Sequence, residues 1–325
     1  FEIKANTVVN ACGPWVDLLR KEDNSLKGKR LQLTKGVHLV FPYEKLPLKQ
    51  AAYFDVGDGR MIFAIPRDNI TYVGTTDTVY NESIDSPNCT KADADYLLKA
   101  INHMFPSAGL QLNDIQSTWA GLRPLIHEDG KSASELSRKD EIMVSSSGLI
   151  SIAGGKLTGY RLMAEKIVDL AEKKLGRKHT PSTTKNYRLS GGEFKDEDDF
   201  TNSLKQFLAQ GEKLGIAPQV VSRWFYRYGK NVQQLFEIYL SQSKHANATE
   251  LTETQYGVKH EMVHTLSDFT IRRTGNVFFN YPATKSQLPF IATAITSLLN
   301  LPEEAKTQQL SRASSEFEMV VAFKH

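Results

Sequence analysis

The stretch Gly148-Leu149-Ile150-Ser151-Ile152-Ala153-Gly154-Gly155-Lys156-Leu157-Thr158-Gly159-Tyr160-Arg161 joins an apolar run to an amphipathic one through small residues and a single cation. Its first six residues, with two isoleucines and a bounding glycine, read as a buried strand. Beyond the glycines, Met163, Ile167, Leu170 and Ala171 recur at helical spacing, which leaves Arg161, Glu165, Lys166, Asp169, Glu172 and Lys173 for the wet face. The expected unit is therefore strand, glycine turn, helix. Unpaired backbone N–H groups at such a turn can hold an anion, and glycine lets a ligand come close to the main chain. The helix dipole contributes only about 0.3–1 kcal/mol there, so a phosphate needs more donors, which Lys156 and Thr158 could supply. A glycine turn that merely caps a packing helix is the other reading, and this stretch alone leaves both open. A Walker A loop is excluded, because Ile150 stands where that motif needs glycine and Leu157 where it needs Ser or Thr.

Upstream, Thr7-Val8-Val9-Asn10 followed by Ala11-Cys12-Gly13-Pro14-Trp15 repeats the pattern, with Pro14 suited to start a helix over Trp15 to Arg20. Gln32-Leu33, Val37 to Phe41, Arg60 to Ile65 and Thr71 to Gly74 are short β-branched or aromatic runs separated by turn signals such as Asp58-Gly59, which predicts an antiparallel sheet. Thr90 is placed to cap a helix carrying Ala94, Leu97, Leu98, Ile101 and Phe105, ended by Pro106. Strands resume at Ser117 to Ala120 and Ile142 to Ser145. After the polar linker Lys178 to Ser190, short helices are expected over Phe200 to Leu208, Pro218 to Tyr228, Val232 to Tyr239, Glu253 to His264 and Ser286 to Leu299.

The 325 residues have room for two or three domains of about 100–200 residues. With 40 Lys plus Arg against 37 Asp plus Glu, the net charge of +3 gives no argument for nucleic acid, although clustered cations could serve a small anion. Two cysteines, Cys12 and Cys89, cannot build a disulfide framework, so a reducing compartment is expected. The longest apolar runs, such as Phe290 to Leu299, fall well short of a membrane span. Phe1 is not an initiator methionine, and the first residues read as a strand in mid-fold, so the chain is expected to be a fragment.

Four groups could carry chemistry. In Gly121-Leu122-Arg123-Pro124, placed after the strand Ser117 to Ala120, Arg123 offers a planar fork suited to phosphate or carboxylate, against the plain alternative of a surface arginine. His38, within Val37 to Phe41, shares a strand face with Gly36 and Val40 and is either a base titrating near working pH or a hydrogen-bonded, half-buried side chain. Gly74-Thr75-Thr76-Asp77 could line a polar pocket, or Asp77 could cap its turn. His260-Glu261-Met262-Val263-His264 matches HExxH, which on one helix would hold zinc; no third ligand follows at family spacing, and Arg272-Arg273 would oppose a cation.

Taken in order, Val8 to Trp15, Gly36-Val37-His38, Gly74 to Asp77, Gly121 to Pro124, Gly154 to Arg161, Gly191-Gly192, Arg227-Tyr228-Gly229 and His260 to Thr274 closely resemble the FAD-dependent, quinone-linked glycerol-3-phosphate dehydrogenases. The resemblance covers nearly the whole chain and gives HExxH a structural explanation. It implies a fold of α/β and α+β class: part of an FAD-binding domain of the glutathione-reductase-like or amine-oxidase-like kind (residues 1–22 and 117–178), an antiparallel β-sheet substrate domain (23–116) and an all-α C-terminal domain (179–325). By the same resemblance Arg123 and Arg138 clamp the substrate phosphate, Lys156 lies near flavin or substrate, and His38 is an active-site histidine. Asn10, Ala11, Gly13, Trp15, Gly155, Lys156, Leu157 and Thr158 line FAD. The implied reaction oxidises glycerol 3-phosphate to dihydroxyacetone phosphate and passes electrons to quinone, on a cytoplasmic protein with peripheral membrane contact, no resident metal and no nucleic-acid partner; a homo-oligomer is compatible with the sequence. Only 31 positions separate Arg123 from Gly154, where the related oxidases carry an added segment, so the dehydrogenase is preferred to the oxidase. The family's N-terminal GxGxxG segment is not found in the chain, and Gly57-Asp58-Gly59-Arg60 cannot replace it without a following helix. The 325 residues alone are therefore expected to be colourless and inactive.

Overall fold

The computed structural model describes residues 2–128, 139–242 and 245–324. The chain divides into two compact units, Phe1–Lys185 with Val321–His325, and Asn186–Val320. The first unit contains the strands β1 (Val9–Asn10), β2 (Lys29–Pro42), β3 (Ala52–Asp55), β4 (Met61–Arg67), β5 (Ile70–Gly74), β6 (Thr78–Val79), β7 (Ser117–Glu128), β8 (Asp140–Val144) and β9 (Ile150–Gly154), with helices α1 (Val16–Glu22), α2 (Lys91–Met104) and α3 (Tyr160–Lys174).

Two sheets result. In the smaller, the order is β1-β9-β8, with β1 parallel to β9 in the register Val9 to Ile150 and Asn10 to Ser151, and β8 antiparallel on the far side. The apolar run read at the outset is thus a central strand, and Met163, Ile167, Leu170 and Ala171 of α3 pack on Ile150 and Ile152 as their spacing predicts. The larger sheet is antiparallel, ordered β3-β4-β5-β2-β6, with β7 along the other edge of β2. Gly57 to Arg60 is the hairpin connection between β3 and β4, which agrees with its exclusion as a nucleotide loop.

Two sequence boundaries are corrected here. Gln32-Leu33 and Val37 to Phe41 belong to one strand of 14 residues, and Ser117 to Ala120 is only the start of a strand of 12. Glycine did not break either one, because Gly36 and Gly121 lie opposite each other in a ladder that runs from Lys29 and Glu128 to Val40 and Ser117. Arg123 consequently sits in mid-strand rather than beyond a strand end.

The odd-numbered residues Val37, Leu39 and Phe41 of β2 share a buried core with Ala94, Leu97, Leu98 and Ile101, the helix stripe expected for α2. Each such Leu or Ile stabilises by roughly 1.5–3 kcal/mol relative to exposure. Thr90 caps α2 reciprocally with Asp93 in a capping box. The same Asp93 carboxylate accepts the Lys35 ammonium at 2.7 Å, both side chains being over nine-tenths buried, so strand and helix are locked by an ion pair inside the core. That fixes the face of β2 turned away from α2.

In the second unit are α4 (Glu197–Lys213), α5 (Pro218–Tyr228), α6 (Val232–Gln242), α7 (Ala248–His260), α8 (Asn276–Phe279), α9 (Tyr281–Leu298) and α10 (Glu303–Met319). One core gathers Val221, Trp224, Phe225, Leu235 and Phe236, and a second gathers Val263, Leu266, Phe269, Ile291, Ile295 and Phe317. Helix α10 was not expected; its stripe is sparse, with Ala313 and Phe317 buried in a run otherwise rich in Glu, Gln and Ser. The Gly191 and Arg227-Tyr228-Gly229 motifs are explained by packing. Backbone passes directly over backbone at Gly191 and Gly229, the Lys230 N–H donates to the Gly191 carbonyl at 2.9 Å, and Arg227 and Tyr228 both donate to the buried Glu253 carboxylate, at 2.5 and 2.9 Å.

Candidate active site

Because β1 and β9 are parallel neighbours, the segments that follow them leave the same end of the sheet. In open α/β sheets ligands bind outside the carboxyl ends of the strands. After β9, Gly154 and Gly155 turn the chain with φ of +74° and +76°, a region that costs L side chains energy, and a Cβ on Gly155 would also lie 2.8 Å from Met163 Sδ. A short 3-10 turn, Leu157–Gly159, separates this bend from α3. The glycines therefore stand before the helix rather than at its first turn. Lys156, Leu157 and Thr158 are exposed, Leu157 at 90%, and Lys156 has no side-chain partner among the described residues.

After β1, the residues take different roles. Asn10 is fully buried; its amide donates to the Val16 carbonyl at 2.9 Å and the Ser151 hydroxyl at 3.3 Å, and its oxygen accepts the Cys12 N–H at 3.4 Å. It braces the loop against β9 from behind. Ala11 is exposed, Gly13 adopts φ of +58° with open space around it, and the partly exposed Trp15 donates its indole N–H to Asp85 at 2.7 Å.

The second group lies on the face of the larger sheet opposite α2. His38 pairs across the ladder with Gly74 of β5 on one side and Trp119 of β7 on the other, and Gly74 pairs in turn with Phe63 of β4. The imidazole stacks on Trp119 with centroids 4.6 Å apart and planes 11° from parallel, with Phe63 at 5.4 Å and Tyr72 at 6.4 Å. A Cβ at Gly74 would lie 2.7 Å from Nε2. Nδ1 is buried without a hydrogen-bond partner among the described residues. Burial, and after it the nearby Arg123 cation, push the ring down to about 4 from its ordinary 6.5, so it is neutral at physiological pH.

Trp119, Gly121 and Arg123 alternate onto one face of β7. The Arg123 guanidinium packs over Gly36, where a Cβ would lie 2.7 Å from Cζ. It donates to the Thr75 hydroxyl at 3.1 Å, the Thr76 carbonyl at 3.1 Å and the Asp77 carboxylate at 3.3 Å. Those bonds use three of five N–H donors, and the side chain stays one-third exposed. Thr76 is itself pinned to β2, accepting from the Val37 N–H at 3.0 Å and donating to the Lys35 carbonyl at 3.2 Å. The Gly74 to Asp77 segment thus steers an arginine instead of only closing a turn.

Farther along β7, Ile126 packs with Val16 of α1 and Ala153 of β9. The strand carrying Trp119 and Arg123 therefore runs on into the end of the smaller sheet that bears the glycine bend. Arg138 lies outside the described residues. Sequence reading missed Trp119, Phe63 and Tyr72; the signal for Trp119 was its position four residues before Arg123 on the same strand face.

HExxH does not form the helical pair that zinc requires. Helix α7 ends at His260, Met262 has φ of +56°, and the His264 N–H donates to Asp268 at 3.1 Å, so the two imidazoles share no helix face. His260 instead stacks on Tyr256 at 5.0 Å. Asp169 and Glu172 of α3 come together with His179 beyond the helix end, His179 Nδ1 standing 3.6 and 3.7 Å from the two carboxylates. A cavity of about 350 Å³ opens beside Thr7 and Gly148, at the opposite end of β9 from the glycine bend.

Residues 1–161 match the family described as FAD dependent oxidoreductase, and residues 182–306 match the C-terminal domain of alpha-glycerophosphate oxidase. The chain belongs to the FAD-dependent oxidoreductases. Within them it is 46% identical over 317 residues to the aerobic glycerol-3-phosphate dehydrogenase of Bacillus subtilis (strain 168), covering 95% of this chain and 57% of that relative. The enzyme of the same name from Staphylococcus aureus (strain MRSA252) is 45% identical over 327 residues, covering 97% of this chain and 59% of that one. The solved glycerol-3-phosphate dehydrogenase of Bacillus halodurans, complexed with FAD, superposes with a TM-score of 0.89 at 46% identity, over 98% of this chain and 63% of that chain. The chain thus spans less than two thirds of the length of the curated relatives it matches.

Proposed function

We propose that this chain supplies the substrate face and one wall of the flavin site in an FAD-dependent glycerol-3-phosphate dehydrogenase. The observation that carries this reading is the pairing, within one unit, of an open glycine bend at the carboxyl ends of parallel strands with a sheet face that presents a neutral histidine and an arginine with donors to spare. The donor set fits a flavin nucleotide along one side. Backbone at Gly155 and Gly13, the Lys156 cation and the Thr158 hydroxyl suit its anionic and polar parts, and the exposed Leu157 and Trp15 offer apolar surface. When bound, FAD supplies the hydride acceptor.

The residues of the chain account for the remaining needs. Arg123, with two N–H donors left, binds the substrate phosphate through charge-assisted bonds, and Arg138 is assigned to the same phosphate. His38, neutral and held by its stack, accepts the C2 hydroxyl proton as the C2 hydrogen departs with its electron pair; C2–O becomes C=O, and the product is dihydroxyacetone phosphate. A ring held down to about 4 is a weak acceptor, but the Arg123 cation is one of its two causes. A phosphate dianion on Arg123 offsets that charge, so substrate binding raises the basicity of His38. Electrons then leave for a quinone at a membrane surface. Among the described residues no helix is long and apolar enough to cross a membrane.

The test is steady-state oxidation by the full-length, FAD-loaded protein with a quinone and then with oxygen as acceptor. Turnover of glycerol 3-phosphate with quinone is expected. Rapid peroxide formation without quinone would replace the dehydrogenase reading with an oxidase, and inactivity on glycerol 3-phosphate would defeat the reading itself.

A further inference from the structure

Nothing about the His38 imidazole is fixed by a hydrogen bond among the described residues: Nδ1 is buried and unpartnered, and no bond to Nε2 is formed there. Its orientation comes from packing alone. On one side the Trp119 indole lies nearly parallel at 4.6 Å, Phe63 approaches at 5.4 Å, and the Cδ2–Nε2 edge rests over Gly74, where no side chain stands. Trp119 is in turn held by Tyr72 at 5.4 Å, and Tyr72 meets Phe63 edge-on at 6.2 Å. An imidazole with two rotatable bonds needs such a clamp, because a reacting group misplaced by about 1 Å can lose on the order of a hundredfold in rate.

We propose that Trp119 is the positioning residue for His38: its indole face sets the plane of the imidazole and keeps water from it, so that the ring meets the substrate hydroxyl in one orientation. This rests on the reading of His38 as the active-site base given above. An indole face also attracts cations, which alone would favour the imidazolium. Burial and the Arg123 cation push the ring the other way, so the exclusion of water, with Arg123, outweighs that attraction. Among the described residues, the titratable and charged groups that face the ring are Arg123 on β7, Asp77 through Arg123, and the Tyr72 phenol on β5, while β4 contributes Phe63. A tryptophan serving only the core would not touch His38, and Trp119 is only partly buried, on the face opposite the α2 core.

The experiment compares wild type, Trp119→Phe and Trp119→Leu in the full-length, FAD-loaded protein, following the His38 ring by NMR with histidine-selective labelling while the pH profile of kcat/KM is recorded. The His38 midpoint is expected to rise in the order wild type, Phe, Leu, yet to stay below the ordinary 6.5 in both variants, because Arg123 remains beside the ring. The acid limb of kcat/KM should move with it, kcat falling about tenfold or more in Leu and by less than about threefold in Phe. An unchanged or lowered midpoint in the Phe variant overturns the proposal, even if the Leu variant fails to fold. Equal losses in both variants without a midpoint shift overturn it as well. A rising midpoint with an unaltered pH profile supports the clamp and removes His38 from the reaction, which separates this inference from the functional reading beneath it.

Discussion

Gly74→Ala isolates the contact on which the His38 geometry depends. Gly74 does not have positive φ, so alanine meets no backbone penalty of that kind, and the whole effect falls on what its methyl touches. The added Cβ would stand 2.7 Å from Nε2 and closer still to Cδ2, whereas ordinary contact begins near 3.4 Å. Relieving the Nε2 contact alone takes about 0.7 Å and the closer Cδ2 contact takes more, while the Trp119 stack lies across the ring. Overpacking of this size costs about 1–3 kcal/mol of stability. The catalytic cost is larger, because displacement approaching 1 Å is worth on the order of a hundredfold in rate. In the full-length flavoprotein, kcat/KM for glycerol 3-phosphate should therefore fall about a hundredfold while the urea midpoint moves only modestly. Adding Gly74→Ala to His38→Ala should cost almost nothing further, since the target of the methyl is already gone. Near-normal turnover in the single variant, or full additivity in the double, would refute the placement of His38 against Gly74 as a catalytic constraint.

Three further outcomes are expected. Arg123→Lys gives up the planar fork and should raise KM for glycerol 3-phosphate by about ten- to a hundredfold, the equivalent of roughly 1.5–3 kcal/mol for a charge-assisted bond, while oxidation of unphosphorylated glycerol changes little; steady-state kinetics with both substrates check this. Lys35→Met leaves Asp93 buried without its cation, but the Thr90 N–H and hydroxyl still bond that carboxylate, so urea unfolding should show a loss of about 3 kcal/mol, the lower end for a broken buried pair. His38 is held at about 4 in the folded chain against 6.5 when unfolded, so between those values only the unfolded chain takes up the proton. Its contribution to stability is therefore fully present above pH 6.5 and declines as pH falls toward 4. His38→Gln should flatten that part of the curve of unfolding free energy against pH, and a slope equal to wild type would contradict it.

The glycine bend was legible because it lies between two local periodicities, an apolar strand and a 3.6-residue stripe, and α3 packs as that stripe requires. The two long strands were not legible to their full extent. Gly36 and Gly121 look like breaks in sequence, and only the cross-strand ladder, set by partners nearly ninety residues away, shows that each glycine occupies a paired position. The same non-locality hid the aromatic clamp, since Phe63, Tyr72 and Trp119 come from three strands and meet His38 only after the sheet forms. Asn10 was expected to line the cofactor, yet an asparagine at a strand end has the same sequence signature whether it faces a ligand or, as here, ties the loop to Val16 and Ser151. HExxH is ambiguous in sequence for a related reason: the motif constrains spacing, but the helix that would give the spacing meaning stops at its first histidine.

The most direct measurement is anaerobic mixing of the full-length, FAD-loaded protein with glycerol 3-phosphate, following the visible flavin absorbance. Bleaching of one flavin per substrate oxidised is expected, slowed strongly by Gly74→Ala and shifted to higher substrate concentration by Arg123→Lys. Flavin that stays oxidised, or that bleaches as readily with glycerol as with its phosphate, would contradict the assignment of His38 and Arg123 to this reaction.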